Sequence, residues 1–262
     1  MDTEMILTHF YTNYDEERRL LSRHGQVEYL TTMRYIQKYL KPGMRILEVG
    51  AGTGRYSHSL ARMGYQMDAV ELVQHNIDIF RKNTQAGEDV TVFRGDARDL
   101  SFLEDETYDM TLVLGPMYHL FTKEDQHRAI AEAMRVTKQG GILAFAYCGN
   151  EATLVQFCFG RGMIREERYQ KLIDPVTFKA SSDPAELFQL YRREEIEDLM
   201  KGFETERLHY IGTDMATNYM REAVDAMDDE MFDLYLRYHF SICERMDCVG
   251  TSHHILDVHR KL

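Results

Sequence analysis

The sequence predicts an α/β fold: a doubly wound, mostly parallel sheet of seven strands with helical insertions. Three observations carry this. Between residues 41 and 147, short apolar runs alternate with segments of helical period, the pattern of successive parallel β-α-β units. The first run feeds a glycine cluster, Gly50-Ala51-Gly52-Thr53-Gly54, that opens the next helix. A chain of 262 residues is long enough for one such domain with insertions.

The elements follow in order. Residues 5–24 are polar and aromatic, with Phe10, Tyr11 and Tyr14 ahead of Asp15-Glu16-Glu17-Arg18-Arg19. Val27, Leu30, Met33, Ile36 and Leu40 recur at helical spacing, and Lys41-Pro42-Gly43 stops that helix. Strands are expected at 45–49, 66–71, 90–94, 110–114 and 142–147, with helices at 56–63, 75–83 and 123–137 between them. After Tyr147 the pattern loosens. A helix near 151–171, a loop with Pro175 and Pro184, a helix at 192–201 and a strand at 204–211 are expected. Two acidic helices in 214–247 and a last strand at 253–259 complete the count.

Charge and composition exclude some functions. With 43 acidic against 31 basic residues the formal net charge is −12. A protein that tracks a phosphate backbone carries a basic patch, so nucleic acid is not the expected partner. No apolar run approaches the roughly 18 residues that span a bilayer, and Met1-Asp2-Thr3-Glu4 is acidic where a secretory signal is basic. A cytoplasmic protein without membrane association is therefore expected. Cys148, Cys158, Cys243 and Cys248 form no C-x-x-C pair and stand at no zinc-finger spacing to a histidine. They read as reduced thiols, and no metal is expected.

The strongest motif is Ile46-Leu47-Glu48-Val49-Gly50-Ala51-Gly52-Thr53-Gly54. A strand running into glycines and then a helix lets backbone approach a ligand closely, with amide donors turned toward it. Dinucleotide folds use G-x-G-x-x-G at this point, but Arg55 stands where the third glycine would be, and Gly54 makes the pattern G-x-G-x-G. The segment from Arg45 to Gly54 resembles the first motif of the class I S-adenosylmethionine-dependent methyltransferases, whose loop holds the methionine part of the cofactor. The resemblance implies a Rossmann-like sheet, S-adenosylmethionine as cofactor and S-adenosylhomocysteine as product. It also implies cofactor contacts at Glu48, Gly50, Ala51, Gly52 and Gly54. The family usually has Asp where this chain has Glu48; the extra methylene keeps the charge and changes its reach.

Further motifs follow at matching distances. Glu71 closes the second strand 21 residues after Gly50. A carboxylate there has two acceptor oxygens for the two hydroxyls of a ribose, a group that adenosylmethionine and NAD share. Gly95-Asp96-Ala97 resembles the segment whose acid accepts from the adenine amino group while the next amide donates to the ring. Tyr108-Asp109 begins the fourth strand, which in the family ends beside the transferable methyl, here at Leu114. Methyltransferases acting on flat amines often carry Asn/Asp-Pro-Pro-aromatic at this point. Here Gly115-Pro116-Met117-Tyr118 follows, and a glycine head offers only a backbone carbonyl, which disfavours such an acceptor. The resemblance spans residues 42–148 and resumes weakly over 186–212 and 251–262.

His119, with Tyr118 beside it, is the catalytic candidate, because a histidine after the fourth strand can accept a proton near neutrality. A structural hydrogen bond would explain it equally well. His253-His254 reads as structural. Tyr11, Tyr14 and Arg18 fall at helical spacing and are candidates for a cap over the acceptor. Phe157, Phe159, Tyr169, Tyr219, Phe232, Tyr235 and Tyr238 either roof an apolar acceptor pocket or pack the insertions onto the sheet. The expected organisation is one domain over 1–262: a cap at 1–40, a cofactor-binding core at 41–148, helical insertions at 149–185 and 213–250, and sheet-completing segments at 186–212 and 251–262. The expected reaction is in-line methyl transfer to a small molecule. An RNA or protein methyltransferase and a non-catalytic adenosylmethionine-binding subunit remain as alternatives.

Overall fold

A computed structural model of the chain describes residues 3–13 and 19–262. The strands are β1 (Arg45–Val49), β2 (Gln66–Glu71), β3 (Val90–Arg94), β4 (Tyr108–Val113), β5 (Thr137–Gly149), β6 (Leu190–Tyr191), β7 (Thr205–Gly212) and β8 (His254–Lys261). Seven lie in the order β3-β2-β1-β4-β5-β8-β7, and the two-residue β6 pairs with β5 beside this path. The expected seven strands are thus present, with an eighth too short to leave a period in the sequence. From β3 to β5 the pairing is parallel, whereas β8 runs antiparallel between β5 and β7.

The helices that position the site are α1 (Thr3–Asn13), α2 (Arg23–Gln37), α3 (Arg55–Arg62), α4 (Gln74–Asn83) and α5 (Lys123–Val136). They cover both faces of the parallel half, which is why its strands are apolar throughout rather than alternating. Leu47, Val49, Leu143 and Phe145 face one layer with Ile130 and Ala133 of α5. Ile46, Met110, Leu112, Ile142 and Ala144 face the other, with Ile36 of α2 and Leu60 of α3. Each of these nine strand side chains is buried, and a fully buried Leu, Ile or Phe contributes roughly 1.5–3 kcal/mol relative to exposure.

The insertions depart most from expectation. Instead of one helix over 151–171 there is a short helix at Asn150–Thr153, wider turns over Leu154–Phe159, a tight turn at Met163–Arg165 and a helix at Glu167–Leu172. Gly160 and Gly162 interrupt the helical run, and Gly162 adopts a left-handed φ of 74°. The two acidic helices over 214–247 become a 3-10 segment (Met215–Met220), a short helix (Arg221–Asp225) and a longer one (Asp229–Ile242) capped by the Asp228 side chain on the Met231 amide. β5 begins at Thr137, earlier than expected, because it pairs with Tyr108 before a bulge and the main ladder. No described helix is long and apolar enough to cross a membrane. The four cysteines are unpaired.

Reversal of β8 has a consequence for the site. Its first residue, His254, stands opposite Cys148 near the end of β5, and Ile255 stands opposite Gly212 at the end of β7. The start of β8 therefore joins the C-terminal edge of the parallel strands, where open α/β sheets bind their ligands.

Candidate active site

A cavity of about 690 Å³ opens along that edge, within the roughly 300–1,000 Å³ range of small-molecule and cofactor sites. Glu48, Gly50, Ala51, Gly52, Glu71, Asp96, Ala97, Leu114, Tyr118, His119 and Tyr11 all contribute to its wall. Gly54 is the sequence-predicted cofactor residue absent from the wall. It closes the loop from behind, where a Cβ would meet the Phe80 ring at 2.5 Å.

The glycine loop works by close approach. Gly50, Gly52 and Gly54 have φ of 75°, 54° and 91°, the left-handed region that side chains disfavour. A Cβ on Gly50 would stand 2.5 Å from Cδ of Pro116, so the loop after β1 and the turn after β4 touch backbone to backbone. The expectation that the loop amides point at a ligand needs correction. The Gly50 and Ala51 amides donate to the Val70 carbonyl at 2.8 and 3.1 Å, and the Gly54 amide donates to the Ala51 carbonyl at 2.9 Å. The Gly52 amide donates to Glu71 at 2.9 Å. Three of these amides hold the loop against β2 and the fourth closes the loop on itself, and what the glycines present to the cavity is bare backbone.

Glu48 and Glu71 differ in use. Glu48 is buried and accepts from the Ser57 amide at 2.9 Å and from the Ser57 hydroxyl, so it anchors the first turn of α3. Burial pushes its pKa up to about 8 against those two hydrogen bonds, leaving it protonated at neutral pH. Glu71 accepts from the amides of Gly52 and Val73, each at 2.9 Å, and from Asn76 at 3.3 Å. At the end of β3, both oxygens of Asp96 take a fork from the Arg98 guanidinium, at 2.6–3.1 Å, and Arg98 also reaches Asp125 at 3.2 Å. Burial opposes the Asp96 charge, but Arg98 outweighs it and holds the carboxyl below its ordinary range.

Two residues far apart in sequence meet at the other end. His119 Nδ1 lies 2.8 Å from the Leu187 carbonyl, and its Nε2 lies 2.8 Å from the Tyr11 hydroxyl. A carbonyl only accepts, so Nδ1 carries the proton and the Nε2 lone pair takes the hydrogen of Tyr11. The Tyr11, Tyr118 and Phe188 rings pack against the imidazole with centroids 5.8, 4.8 and 5.3 Å away. Their burial of the ring lowers its pKa to about 4 despite the Leu187 bond, so His119 is neutral at pH 7. The Tyr118 hydroxyl donates to the Leu114 carbonyl at 3.0 Å and so braces the turn after β4. Tyr14 and Arg18 lie outside the described residues.

The insertions do not roof the cavity as expected. None of Phe157, Phe159, Tyr169, Tyr219, Phe232, Tyr235 and Tyr238 is among the wall residues, to which the first insertion contributes Pro184. Phe232 and Tyr235 pack against Val27 and Val224, and Phe157 and Tyr219 face His253.

Sequence reading missed a small nook of about 30 Å³ that shares Arg19, Tyr56 and Leu114 with the main cavity. Arg19 holds Glu28 at 2.7 Å, Glu28 lies 3.3 Å from Nδ1 of His254, and that nitrogen lies 2.7 Å from Asp214. Burial opposes a charge on His254, yet the two carboxylates raise its pKa and keep it protonated. Glu28, Asp214 and His254 are the grouping among the described residues whose donors could converge on a metal ion. They are already matched to one another and to Arg19 as an ion-pair chain. No local pattern joins residues 28, 214 and 254, so only the reversal of β8 brings them together.

Comparison with known proteins agrees with this geometry. A methyltransferase-domain family model matches residues 46–141. A ubiquinone biosynthesis O-methyltransferase of Methylocella silvestris is 30% identical over 142 residues, covering 54% of this chain and 53% of that protein. A demethylmenaquinone methyltransferase of Thermobifida fusca is 34% identical over 134 residues, covering 50% and 54%. The chain thus spans about half the length of these curated relatives. In fold it is similar to a crystal structure of an S-adenosylmethionine-dependent methyltransferase, possibly a histamine N-methyltransferase, from Thermotoga maritima. That match has a TM-score of 0.59 at 22% identity and covers 100% of both chains. The donor set also suits the cofactor, since acidic side chains stand at the ends of β2 and β3 and bare glycine backbone lies between them and β4. Residues 46–141 match a methyltransferase domain, the chain is similar in sequence and in fold to S-adenosylmethionine-dependent methyltransferases, and S-adenosylmethionine is the cofactor that this likeness supports.

Proposed function

We propose that the protein methylates a small molecule bearing an acidic hydroxyl, such as a phenol or hydroquinone. The observation that carries this reading is His119: a buried, neutral imidazole on the cavity wall, with its Nε2 lone pair directed at the Tyr11 hydroxyl. A neutral amine needs no such base, whereas a phenol must lose its proton as the new bond forms. The name of the matched ubiquinone biosynthesis O-methyltransferase supports a hydroxyl acceptor, and that of the demethylmenaquinone methyltransferase supports a quinone-type molecule.

In this reading Glu71 takes the ribose hydroxyls and Asp96 with the Ala97 amide takes the adenine edge. Glu71 already accepts from the Gly52 and Val73 amides and from Asn76, so in this reading the ribose hydroxyls join or replace those bonds. Bound S-adenosylmethionine supplies an electrophilic methyl on a sulfonium. Leu114 and the Gly50–Pro116 contact wall the region between cofactor and acceptor. Tyr11 of α1 closes over His119, and the acceptor proton passes to Nε2 either directly or through the Tyr11 oxygen. Alignment in a water-poor site supplies most of the acceleration. Residues 1–40 act as the cap and 41–148 as the cofactor core.

The test is a panel of hydroquinones, phenols, primary amines and thiols incubated with S-adenosylmethionine, with release of S-adenosylhomocysteine measured. Phenols or hydroquinones are expected to turn over, at a rate that does not fall through His119 protonation until the pH approaches 4. Turnover of amines alone would overturn the reading.

A further inference from the structure

One row of apolar side chains in the second insertion faces solvent. The helix Asp229–Ile242 has two unlike apolar sides. Phe232, Tyr235 and Leu236 pack inward with Val27 and Leu30 of α2 and with Val224. Met231, Leu234 and Tyr238 point the other way and are 52%, 46% and 59% exposed. Their spacing of three and then four residues sets them in one row, the spacing of a coiled-coil seam. Single exposed apolar residues are ordinary, whereas an aligned row on one helix marks an interaction surface.

The charges beside the row say what fits it. Glu230 and Arg237 are both exposed and stand seven residues apart, so they flank the row on the same side. With Met231 and Tyr238 at the first position of a heptad and Leu234 at the fourth, both charges fall at the last. When two such helices pair antiparallel, last positions face last positions. A twofold axis between Met231 and Leu234 then packs Met231 of each copy on Leu234 of the other. It also sets Glu230 of each copy beside Arg237 of its partner. Sliding the pair by one seam layer would bring Arg237 against Arg237. A parallel pair would lay the acidic first turns, with Asp229 and Glu230, side by side. Antiparallel pairing in the first register alone satisfies both charges, and it opposes the helix dipoles favourably.

We propose that this row binds a second copy of the chain, in an antiparallel helix pair about that twofold axis. Two heptads are too short to pair as free helices. This helix, however, is already folded and fastened. Asp228 caps it at the Met231 amide, 2.9 Å away, Asp229 takes the Arg23 guanidinium at 2.7 Å, and that guanidinium lies 5.2 Å from the centroid of the Phe232 ring. Pairing therefore orders little beyond the side chains, and a narrow surface suffices for a weak, concentration-dependent dimer. Arg237 already holds Asp233 of its own helix at 3.2 Å, but that pair is exposed and contributes little, so the guanidinium can turn to the partner. The contact is isologous and closes at two copies.

The experiment is sedimentation velocity of the full chain over a range of micromolar concentrations, with charge reversals at the two flanking positions. The unaltered protein is expected to pass from monomer to dimer as its concentration rises, and Leu234→Glu to remain monomeric. Glu230→Arg alone, or Arg237→Glu alone, faces like charges with like in the homodimer and should weaken it about tenfold or more. Mixing those two variants restores both opposite pairs, so the mixture should dimerise as the unaltered protein does. The double variant should likewise recover its own dimer. Circular dichroism of each variant should be unchanged, since all three positions are exposed. A dimer indifferent to Leu234→Glu and to the reversals would lie on another face and overturn the inference. Reversals that weaken the dimer without rescue on mixing would overturn the antiparallel register. A protein that stays monomeric throughout, and sediments with phosphatidylcholine–phosphatidylglycerol vesicles unless Leu234 is replaced, would give the row to a lipid surface instead.

Discussion

The half of the molecule built from β1–β4 and the half built from the N-terminal helices, the insertions and β8 are assembled differently. In the first, each site residue sits at a strand end or in the loop next to it: Glu48 and Gly50 at β1, Glu71 at β2, Asp96 at β3, Leu114 at β4. In the second, partners are separated by 108 residues for Tyr11 and His119 and by 40 for Asp214 and His254. The family model covers 46–141 and thus ends with the first kind of construction. In the proposed reading, cofactor recognition is a local property of consecutive β-α units, while acceptor recognition arises from long-range docking onto that frame.

The largest effect should come from breaking the contact between the loop after β1 and the turn after β4. Gly50→Val forces a β-branched residue to φ 75° and drives its Cβ against Pro116. Calorimetry should find S-adenosylhomocysteine binding weakened on the order of 1000-fold or beyond detection, a loss of at least about 4 kcal/mol. Binding within tenfold of the unaltered protein would show that the loop tolerates side chains and is no close-approach surface.

Glu71→Ala should weaken cofactor binding by about 2–4 kcal/mol, roughly 30- to 1000-fold, as ribose contacts are lost. The structure adds a second cost, because the Gly52 and Val73 amides lose their acceptor. Glu71→Gln separates the two, since it keeps acceptor oxygen for the ribose while changing what the amides meet. An unchanged dissociation constant in the Ala variant, with the melting temperature intact, would remove Glu71 from the cofactor site.

The halves also differ in how protons act on them. Burial lowers His119, His239 and His253 to about 4 and lowers His209 as well, all of them outside β1–β4. Below the unfolded value of about 6.5 the unfolded chain takes up these protons and the folded chain does not, so stability falls as pH drops from 6.5 toward 4. Glu48, on the cofactor side, is raised to about 8. It contributes stability that is present below the unfolded value of about 4.5 and is lost as pH rises through 8, and the raised His254 acts in the same direction above pH 6.5. Chemical denaturation is therefore expected to show maximal stability near pH 6.5. The acid limb should be the steeper, at about 1.4 kcal/mol per pH unit for each net proton. Glu48→Gln should flatten the alkaline limb and leave the histidine contribution on the acid side. An acid limb no steeper than the alkaline one would contradict the burial assigned to the histidines.

What the sequence made legible follows the same division. The apolar strand runs, the glycine loop and the acids at residues 71 and 96 are encoded within a few residues of each other, so periodicity and spacing find them. His119 was visible as a position, but its partners were not: Leu187 follows a proline turn with no period, and Tyr11 lies on a helix whose docking only tertiary contact decides. For the aromatic residues of 150–240 the sequence left roofing and packing both open, and packing is what the structure shows. Aromatic content marks burial against something, and here that something is α2, His253 or the insertion's own turns rather than a ligand cavity. The loop amides were misassigned because Val70 and Glu71, the acceptors of three of them, sit on the neighbouring strand.

The smallest expected effect asks how the two halves cooperate in the chemical step. Tyr11→Phe keeps the ring edge-on to Phe10 and His119, with centroids 5.1 and 5.8 Å away, and removes only the hydroxyl that donates to Nε2. Cofactor binding should be unchanged, because Glu71, Asp96 and the glycine loop are untouched. If the acceptor proton travels through the Tyr11 oxygen, its loss should lower kcat by about tenfold, less than the roughly 100- to 10,000-fold contributed by a general base itself, because His119 remains in place to take the proton. If the acceptor instead displaces Tyr11 and meets His119 directly, the variant frees the lone pair and kcat holds or rises. A phenol acceptor identified in the screen then decides by its pH profile. The relay requires the variant and the unaltered protein to share the same acid limb, set by His119, at different plateau rates. A variant whose acid limb moves upward in pH would mean that the Tyr11 hydroxyl helps keep His119 buried and neutral. The residue would then act by positioning the base, and the proton would pass from acceptor to imidazole without it.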